Sequence, residues 1–203
     1  MRTEFGAQRT TCACADCRKK CRFMPGFLIP ADLARLIPSK DCNRCKRPMQ
    51  TTARPGYTTV DCLLGACQCG GVFQPTDPLT WAETHLLASP GALVSKDGKR
   101  FRIPTLVPAV TAEGRCINLD PQERCVIHAD APFGCAFFDH GGPEQQRLAH
   151  AGLVAVYEVW ETRDAADYRP AEKLYRRIWL HLANAGLTQY PPELLRRRMG
   201  ERI

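Results

Sequence analysis

Residues 114–139 read Gly-Arg-Cys-Ile-Asn-Leu-Asp-Pro-Gln-Glu-Arg-Cys-Val-Ile-His-Ala-Asp-Ala-Pro-Phe-Gly-Cys-Ala-Phe-Phe-Asp, and the placing of the three cysteines decides how the chain is organised. Cys116, Cys125 and Cys135 sit in a longer run, 104–135, that reads as irregular chain with short strands. After Cys135 the remaining 68 residues contain no cysteine, so thiol chemistry and the helical pattern that follows are segregated. Upstream lie two more groups: Cys12, Cys14, Cys17 and Cys21, then Cys42, Cys45, Cys62, Cys67 and Cys69.

Twelve cysteines in 203 residues is far above the usage of an ordinary cytosolic enzyme. Met1 to Gly6 carries no apolar run like that of an export signal, which makes a reducing cytoplasm the expected compartment. Stable disulfides do not persist there, so cysteines crowded one to three residues apart are expected to be metal ligands. No apolar stretch of roughly 18 residues is present, and a membrane-spanning helix is not expected.

The first group has the form Cys12-x-Cys14-x2-Cys17-x3-Cys21, whose ligands can wrap one metal ion or two faces of a cluster with little loop-closure entropy. Cys42-x2-Cys45 and Cys67-x-Cys69 form two knuckles close to zinc-ribbon spacing. Cys62 is then a spare, a substitute for a knuckle cysteine, or a ligand shared with another group. Irregular spacing over 12–21 points to iron–sulfur clusters and the knuckles point to Zn²⁺, and spacing alone does not separate the two.

The net charge is +7, and residues 1–50 carry all of it, with eleven Arg or Lys against four Asp or Glu. Four thiolates around Zn²⁺ or a doubly positive cluster leave a net charge of about −2, which nearby cations and backbone N–H groups stabilise. Internal compensation is therefore the preferred reading of the basic half, with a nucleic-acid surface as the alternative.

The pattern Gly114-x-Cys116-x2-Leu119, followed by Cys125-x-Ile127-His128-x3-Pro132-x2-Cys135-x-Phe137-Phe138, resembles the bacterial CxxCxxCC (YkgJ-like) family, described as zinc- or iron-chelating. Cys14-x2-Cys17-x3-Cys21, leading into Pro25-Gly26-Phe27-Leu28-Ile29-Pro30-Ala31-Asp32-Leu33, is similar to the family's cysteine cluster with its Pro-Gly turn and short helix. The resemblance covers about residues 12–37 and 114–140, and implies Cys14, Cys17, Cys21, Cys116, Cys125 and Cys135 as ligands. The adjacent cysteine pair of the family name is absent. Cys21 stands alone where it would fall, with Cys12, or one of Cys42 and Cys45, in place of the missing ligand.

The expected architecture is α+β, small and irregular, with short hairpins and a C-terminal helical pair. Residues 1–140 form the cysteine-rich metal-binding region, with 42–70 as a knuckle insertion, and residues 141–203 form the helical region. A short helix spans Pro30–Ile37 with Leu33, Leu36 and Ile37 on one face. Residues 42–70 are loop-dominated, with a strand near Tyr57–Val60. A helix capped by Asp77 runs to Ala88. Ala92–Lys96 and Lys99–Ile103 flank Asp97-Gly98 as a type I′ hairpin. One terminal helix runs from Pro143 to Glu161, burying Leu153, Val156, Tyr157 and Trp160. The next runs from Pro170 to Asn184, with Leu174, Ile178 and Leu182 as its seam and Gly186 as its stop. Arg196 to Arg198 reads as a solvated end, and no internal repeat is evident.

His128, three residues after Cys125, can ligate a metal or donate a second-sphere hydrogen bond to a thiolate, with a polar or packing role preferred, and Asp139-His140 can make an open metal site, with a loop entering the Pro143 helix preferred. His85, His150 and His181 fall on helices. No nucleophile elbow, phosphate loop, dinucleotide fingerprint or His-Glu-x-x-His is present. The function expected is coordination of iron–sulfur clusters or zinc for electron transfer, metal handling or structure, with a redox or metal-delivery protein as partner. The alternatives are a metal- or redox-dependent enzyme and a zinc-organised nucleic-acid module.

Overall fold

The computed structural model describes residues 3–4, 7–8, 19, 22–23, 25–38, 40–42, 49–54, 57–62, 73–94, 98–136, 143–161 and 169–199, and up to Pro75 the strands are described by their backbone pairing alone. The fold is α+β. Four two-stranded antiparallel ladders occur in chain order. Strands β1 (Thr3–Glu4) and β2 (Ala7–Gln8) pair, as do β3 (Lys40–Cys42) and β6 (Phe73–Pro75). Between the last two lie β4 (Met49–Arg54) and β5 (Tyr57–Cys62), joined with Arg54 opposite Tyr57. The segment expected to be loop-dominated with a single strand therefore contains a hairpin. Helix α1 (Pro30–Leu36) matches the expected short helix.

The fourth ladder positions everything else. Helix α2 (Pro78–His85) is capped by Asp77, whose carboxylate accepts the Thr80 N–H at 2.9 Å, as its sequence predicts. It ends at His85 rather than Ala88, because Leu86 to Ala88 already belong to β7 (Leu86–Val94) and pair with Pro108 to Leu106 of β8 (Arg100–Pro108). Apolar residues fit a helical period there, but the strand pairing wins. The hairpin connection also differs from expectation. Val94 pairs with Arg100, leaving an odd number of residues between the strands, which a two-residue type I′ turn cannot provide. Gly98 still takes the left-handed conformation, at φ 79°.

Three prolines sit in this ladder at registered positions: Pro90 opposite Pro104, and Pro108 opposite Leu86. These fall in the same alternate set as Ala88 and Leu106, whose backbone groups point away from the partner strand. No ladder bond is lost to the missing N–H groups. On the β7 side, Ala88 donates to Leu187 O at 3.0 Å and accepts from Gln189 N at 2.9 Å. On the β8 side, Leu28 N–H donates to Leu106 O at 2.8 Å. Both edges of the hairpin are thus covered.

Beyond the irregular stretch that follows β8 come the short helix α3 (Phe133–Ala136) and three C-terminal helices, α4 (Pro143–Glu161), α5 (Pro170–Asn184) and α6 (Pro192–Met199). The bounds of α4 and α5 agree with the sequence reading. Gly186, at φ 73°, ends α5 in a Schellman arrangement, with Leu187 N–H on Leu182 O at 2.9 Å and Gly186 N–H on Ala183 O at 3.3 Å. Helix α6 was not expected. Leu195 and Met199, four residues apart, are buried in the core, and the Arg198 guanidinium lies 4.2 Å from the Tyr190 ring centroid. The expected helical pair is a set of three.

The core joins Leu28 and Leu33 of the N-terminal part, Leu86, Ile103 and Leu106 of the hairpin, Phe133, and Val156, Ile178, Trp179 and Leu182 of the helices. Trp160 meets Trp179 edge-on at 5.6 Å and donates its indole N–H to Pro104 O at 3.1 Å. At the centre, Tyr175 is fully buried. Its hydroxyl donates to Leu28 O at 2.9 Å and accepts Leu106 N–H at 2.8 Å.

Burial raises the Tyr175 phenol well above its ordinary value. A folded pKa above the unfolded one gives a contribution present below about pH 10 and lost as pH rises beyond it. We expect urea stability to fall above that pH, and the fall to flatten in Tyr175→Phe. At neutral pH, Tyr175→Phe leaves a buried carbonyl and a buried N–H unpaired, and should cost about 2–4 kcal/mol in urea denaturation.

Candidate metal centre

After Val110 the chain makes the same loop twice. Thr111 N–H donates to Arg115 O at 2.7 Å and Gly114 N–H to Thr111 O at 2.9 Å; nine residues later, Asp120 N–H donates to Arg124 O and Glu123 N–H to Asp120 O, both at 2.9 Å. Val110 bridges Cys116, and Leu119 bridges Cys125. The bonds after the loops are duplicated too: Ile117 to Ala109 and Val126 to Asn118, then Leu119 to Cys116 and His128 to Cys125. Each loop is a turn closed by a left-handed residue, Gly114 at φ 74° and Glu123 at φ 61°. A nine-residue structural repeat therefore exists where the sequence showed none, and it sets Cys116 and Cys125 at equivalent positions. In the second unit Asp120 strengthens the turn. Its carboxylate is held below the usual range, first by the Arg124 backbone N–H, which it accepts at 2.9 Å.

The N-terminal part meets this region through its backbone. Cys116 N–H donates to Arg22 O at 2.9 Å, one residue after Cys21. Four residues on, Gly26 N–H donates to Cys135 Sγ at 3.1 Å, and Gly134 N–H donates to Phe27 O at 2.8 Å. The two chains cross without room for a side chain. A Cβ on Gly26 would lie 2.0 Å from Gly134 C, and one on Gly134 would lie 2.4 Å from Phe27 N.

Asp32 locks the crossing. Its carboxylate is fully buried and accepts Ile29 N–H and Phe133 N–H, each at 2.9 Å, while Arg35 pairs with its other oxygen and also reaches Asp130 O. One side chain thereby caps α1 and ties the loop before Cys135 to it.

Of the expected ligands, Cys116, Cys125 and Cys135 lie among the described residues, and Cys42 and Cys62 are placed by strand register opposite Phe73 and Met49. Cys12, Cys14, Cys17, Cys21, Cys45, Cys67 and Cys69 lie outside them, as do Phe137, Phe138, Asp139 and His140. Among the described residues, no group of three or more His, Cys, Asp or Glu side chains is set to hold a metal ion. His85 stacks on Trp81 at 4.6 Å, His150 is exposed on α4, and His181 meets Glu83 at 2.7 Å. Asp32 and Gly134 were not singled out from sequence, and Gly26 entered only as part of the Pro-Gly turn in the family resemblance. Asp32 lies within the quoted Pro30-Ala31-Asp32-Leu33 passage, but its partner at Phe133 is 101 residues away.

The donor set suits thiophilic metals, and the Gly26 N–H that meets the Cys135 sulfur could equally be donated to a metal-bound thiolate. Two further donors are orphaned: the Nε atoms of Arg22 and Arg115 are buried with no hydrogen-bond partner among the described residues. A buried unpaired donor of this kind costs about 1–3 kcal/mol, and both flank candidate ligand cysteines. These residues fit a negatively charged metal–thiolate group.

A cleft of about 300 Å³ lies nearby between Trp81, Leu36, Ile127 and Pro132. Among the described residues, no cysteine lines it. Among the described residues, no helix is long and apolar enough to cross a membrane. No family model, curated protein or solved structure matches the chain.

The glycines separate two mechanisms. Gly114→Ala meets nothing within 4 Å but keeps a positive φ, and should cost about 1–2 kcal/mol. Gly26→Ala and Gly134→Ala force backbones apart and should cost about 3 kcal/mol or more in the same urea titration.

Proposed function

We propose that this chain is a cytoplasmic metal-binding protein whose clustered cysteines coordinate iron–sulfur clusters or zinc, in the manner of the CxxCxxCC family it resembles. The observation that carries the reading is the path of residues 22–28. The segment directly following Cys21 is bonded to the Cys116 backbone at one end and to the Cys135 sulfur in its middle. That path ties the chain next to Cys21 in sequence to the third cysteine group, about a hundred residues further on. Cys14, Cys17 and Cys21 together with Cys116, Cys125 and Cys135 form the ligand set of this centre. Cys12, Cys42, Cys45, Cys62, Cys67 and Cys69 supply the missing ligand and any further site. Electron transfer, metal handling and a structural role are the uses such a centre serves, and a redox or metal-delivery protein is the partner it implies.

Metal and acid-labile sulfide should be measured on anaerobically purified protein. Matching iron and sulfide with a brown colour identifies clusters, and stoichiometric zinc in colourless protein identifies a zinc centre. Cys17→Ser and Cys125→Ser should each remove about one site's worth of metal and open the cysteine-rich part to proteolysis. Metal-free wild-type protein, or unchanged metal in both variants, overturns the assignment.

A further inference from the structure

Arg22 and Arg115 are anchored by their outer nitrogens and left open at their inner ones. Arg22 Nη1 lies 3.0 Å from Glu123 Oε1, and Arg115 Nη2 donates to Asp120 O at 3.1 Å. The Nε of each is buried and finds no acceptor among the described residues. Arg22 follows Cys21 in sequence, Arg115 precedes Cys116, the Arg22 carbonyl holds the Cys116 N–H, and both guanidiniums reach the 120–123 loop that leads into Cys125. The duplicated loop supplies an internal comparison. Arg124 is the counterpart of Arg115 in the second unit, yet its Nε donates to Asp120 Oδ2 at 2.8 Å. Its side chain is 76% exposed. The open Nε is therefore a property of Arg115 and not of the loop.

Glu123 adds a second observation. It stands where the first unit has Gly114, in the left-handed conformation that glycine adopts without strain, and it is the one non-glycine with positive φ among the described residues. Its carboxylate is the group that holds Arg22. A strained residue kept in place by the contact its side chain makes is a common mark of a functional site.

We propose that the Nε–H groups of Arg22 and Arg115 donate to sulfur atoms of the cysteine-held metal centre, balancing its negative charge and setting its affinity or reduction potential. The inference rests on the metal-centre reading. With Arg22 paired to Glu123, the two guanidiniums leave a net charge of +1 there, which offsets part of the excess of about −2 left by four thiolates on a divalent metal or a doubly positive cluster. An N–H donated to sulfur acts on that charge directly. Glu123 is a positioning residue, acting through Arg22.

The test uses full-length, metal-loaded protein. Arg22→Met and Arg115→Met should each weaken metal binding about 10–100-fold in competition with a chelator. With a cluster they should lower its midpoint potential; with zinc they should shift the thiolate-to-metal charge-transfer band of the Co²⁺-substituted protein to lower energy. Arg115→Lys, which keeps the charge but lacks Nε–H, should recover part of the affinity. Arg124→Met, whose Nε is already partnered, should change neither readout. Cysteine-dependent metal binding with Arg→Met affinities within twofold of wild type overturns this inference alone and assigns the open donors to water. Equal losses in Arg115→Met and Arg124→Met also overturn it. A wild-type protein without metal overturns the metal-centre reading itself.

Discussion

The Tyr175 hydroxyl sits between two chains that would otherwise be unable to complete their hydrogen bonding. Leu28 and Leu106 make one direct backbone bond, and the phenol supplies the second connection by giving a proton to Leu28 O and taking one from Leu106 N–H. A two-stranded hairpin is marginal alone in water. Here β7 and β8 are flanked by Gly186–Gln189 on one edge and by the chain around Leu28 on the other, with α5 bringing the tyrosine from behind. The N-terminal segment is therefore part of the core through Leu28, Ile29 and Leu33, all buried. Its position is fixed before any metal is considered.

That fixed segment is also what organises the candidate centre. Residues 22–28 carry, in order, the carbonyl that receives Cys116, the N–H that meets the Cys135 sulfur, the carbonyl that receives Gly134, and the bond to β8. Two glycines let the backbones touch, and a single buried carboxylate, Asp32, holds the crossing from the α1 side. A buried carboxylate is tolerated because it is fully hydrogen-bonded and paired with Arg35. The duplicated loops then set Cys116 and Cys125 at equivalent positions, Cys116 buried and Cys125 half-buried.

What the sequence disclosed depended on how local the cause was. Helices α1, α4 and α5 were legible because Pro30, Pro143 and Pro170 begin them and the apolar residues repeat at helical spacing, with Gly186 closing α5. The end of α2 and the hairpin register were misjudged because both are decided by pairing across the ladder, which no local propensity records. Helix α6 was hidden by its run of arginines, its burial resting on just Leu195 and Met199. The nine-residue repeat shares little beyond Arg-Cys, since its likeness lies in backbone bonds and in two left-handed residues, Gly114 and Glu123. The cysteines stood out as candidate ligands by residue type and crowding alone. Asp32 and the open Nε groups did not, because their meaning comes from segments about a hundred residues apart.

The segment 22–29 faces two environments, and their electrostatics differ. On the core side its polar groups are satisfied by the protein itself, through Leu106, Tyr175 and the Asp32 carboxylate. On the cysteine side the groups are donors seeking negative charge: the Gly26 N–H on sulfur and the guanidiniums of Arg22 and Arg115. A metal–thiolate group of the kind proposed would meet the second side without altering the first. The hairpin and helices hold the segment in place independently of it. Glu123 belongs to the same side: the carboxylate that steadies Arg22 comes from a loop position whose backbone favours glycine.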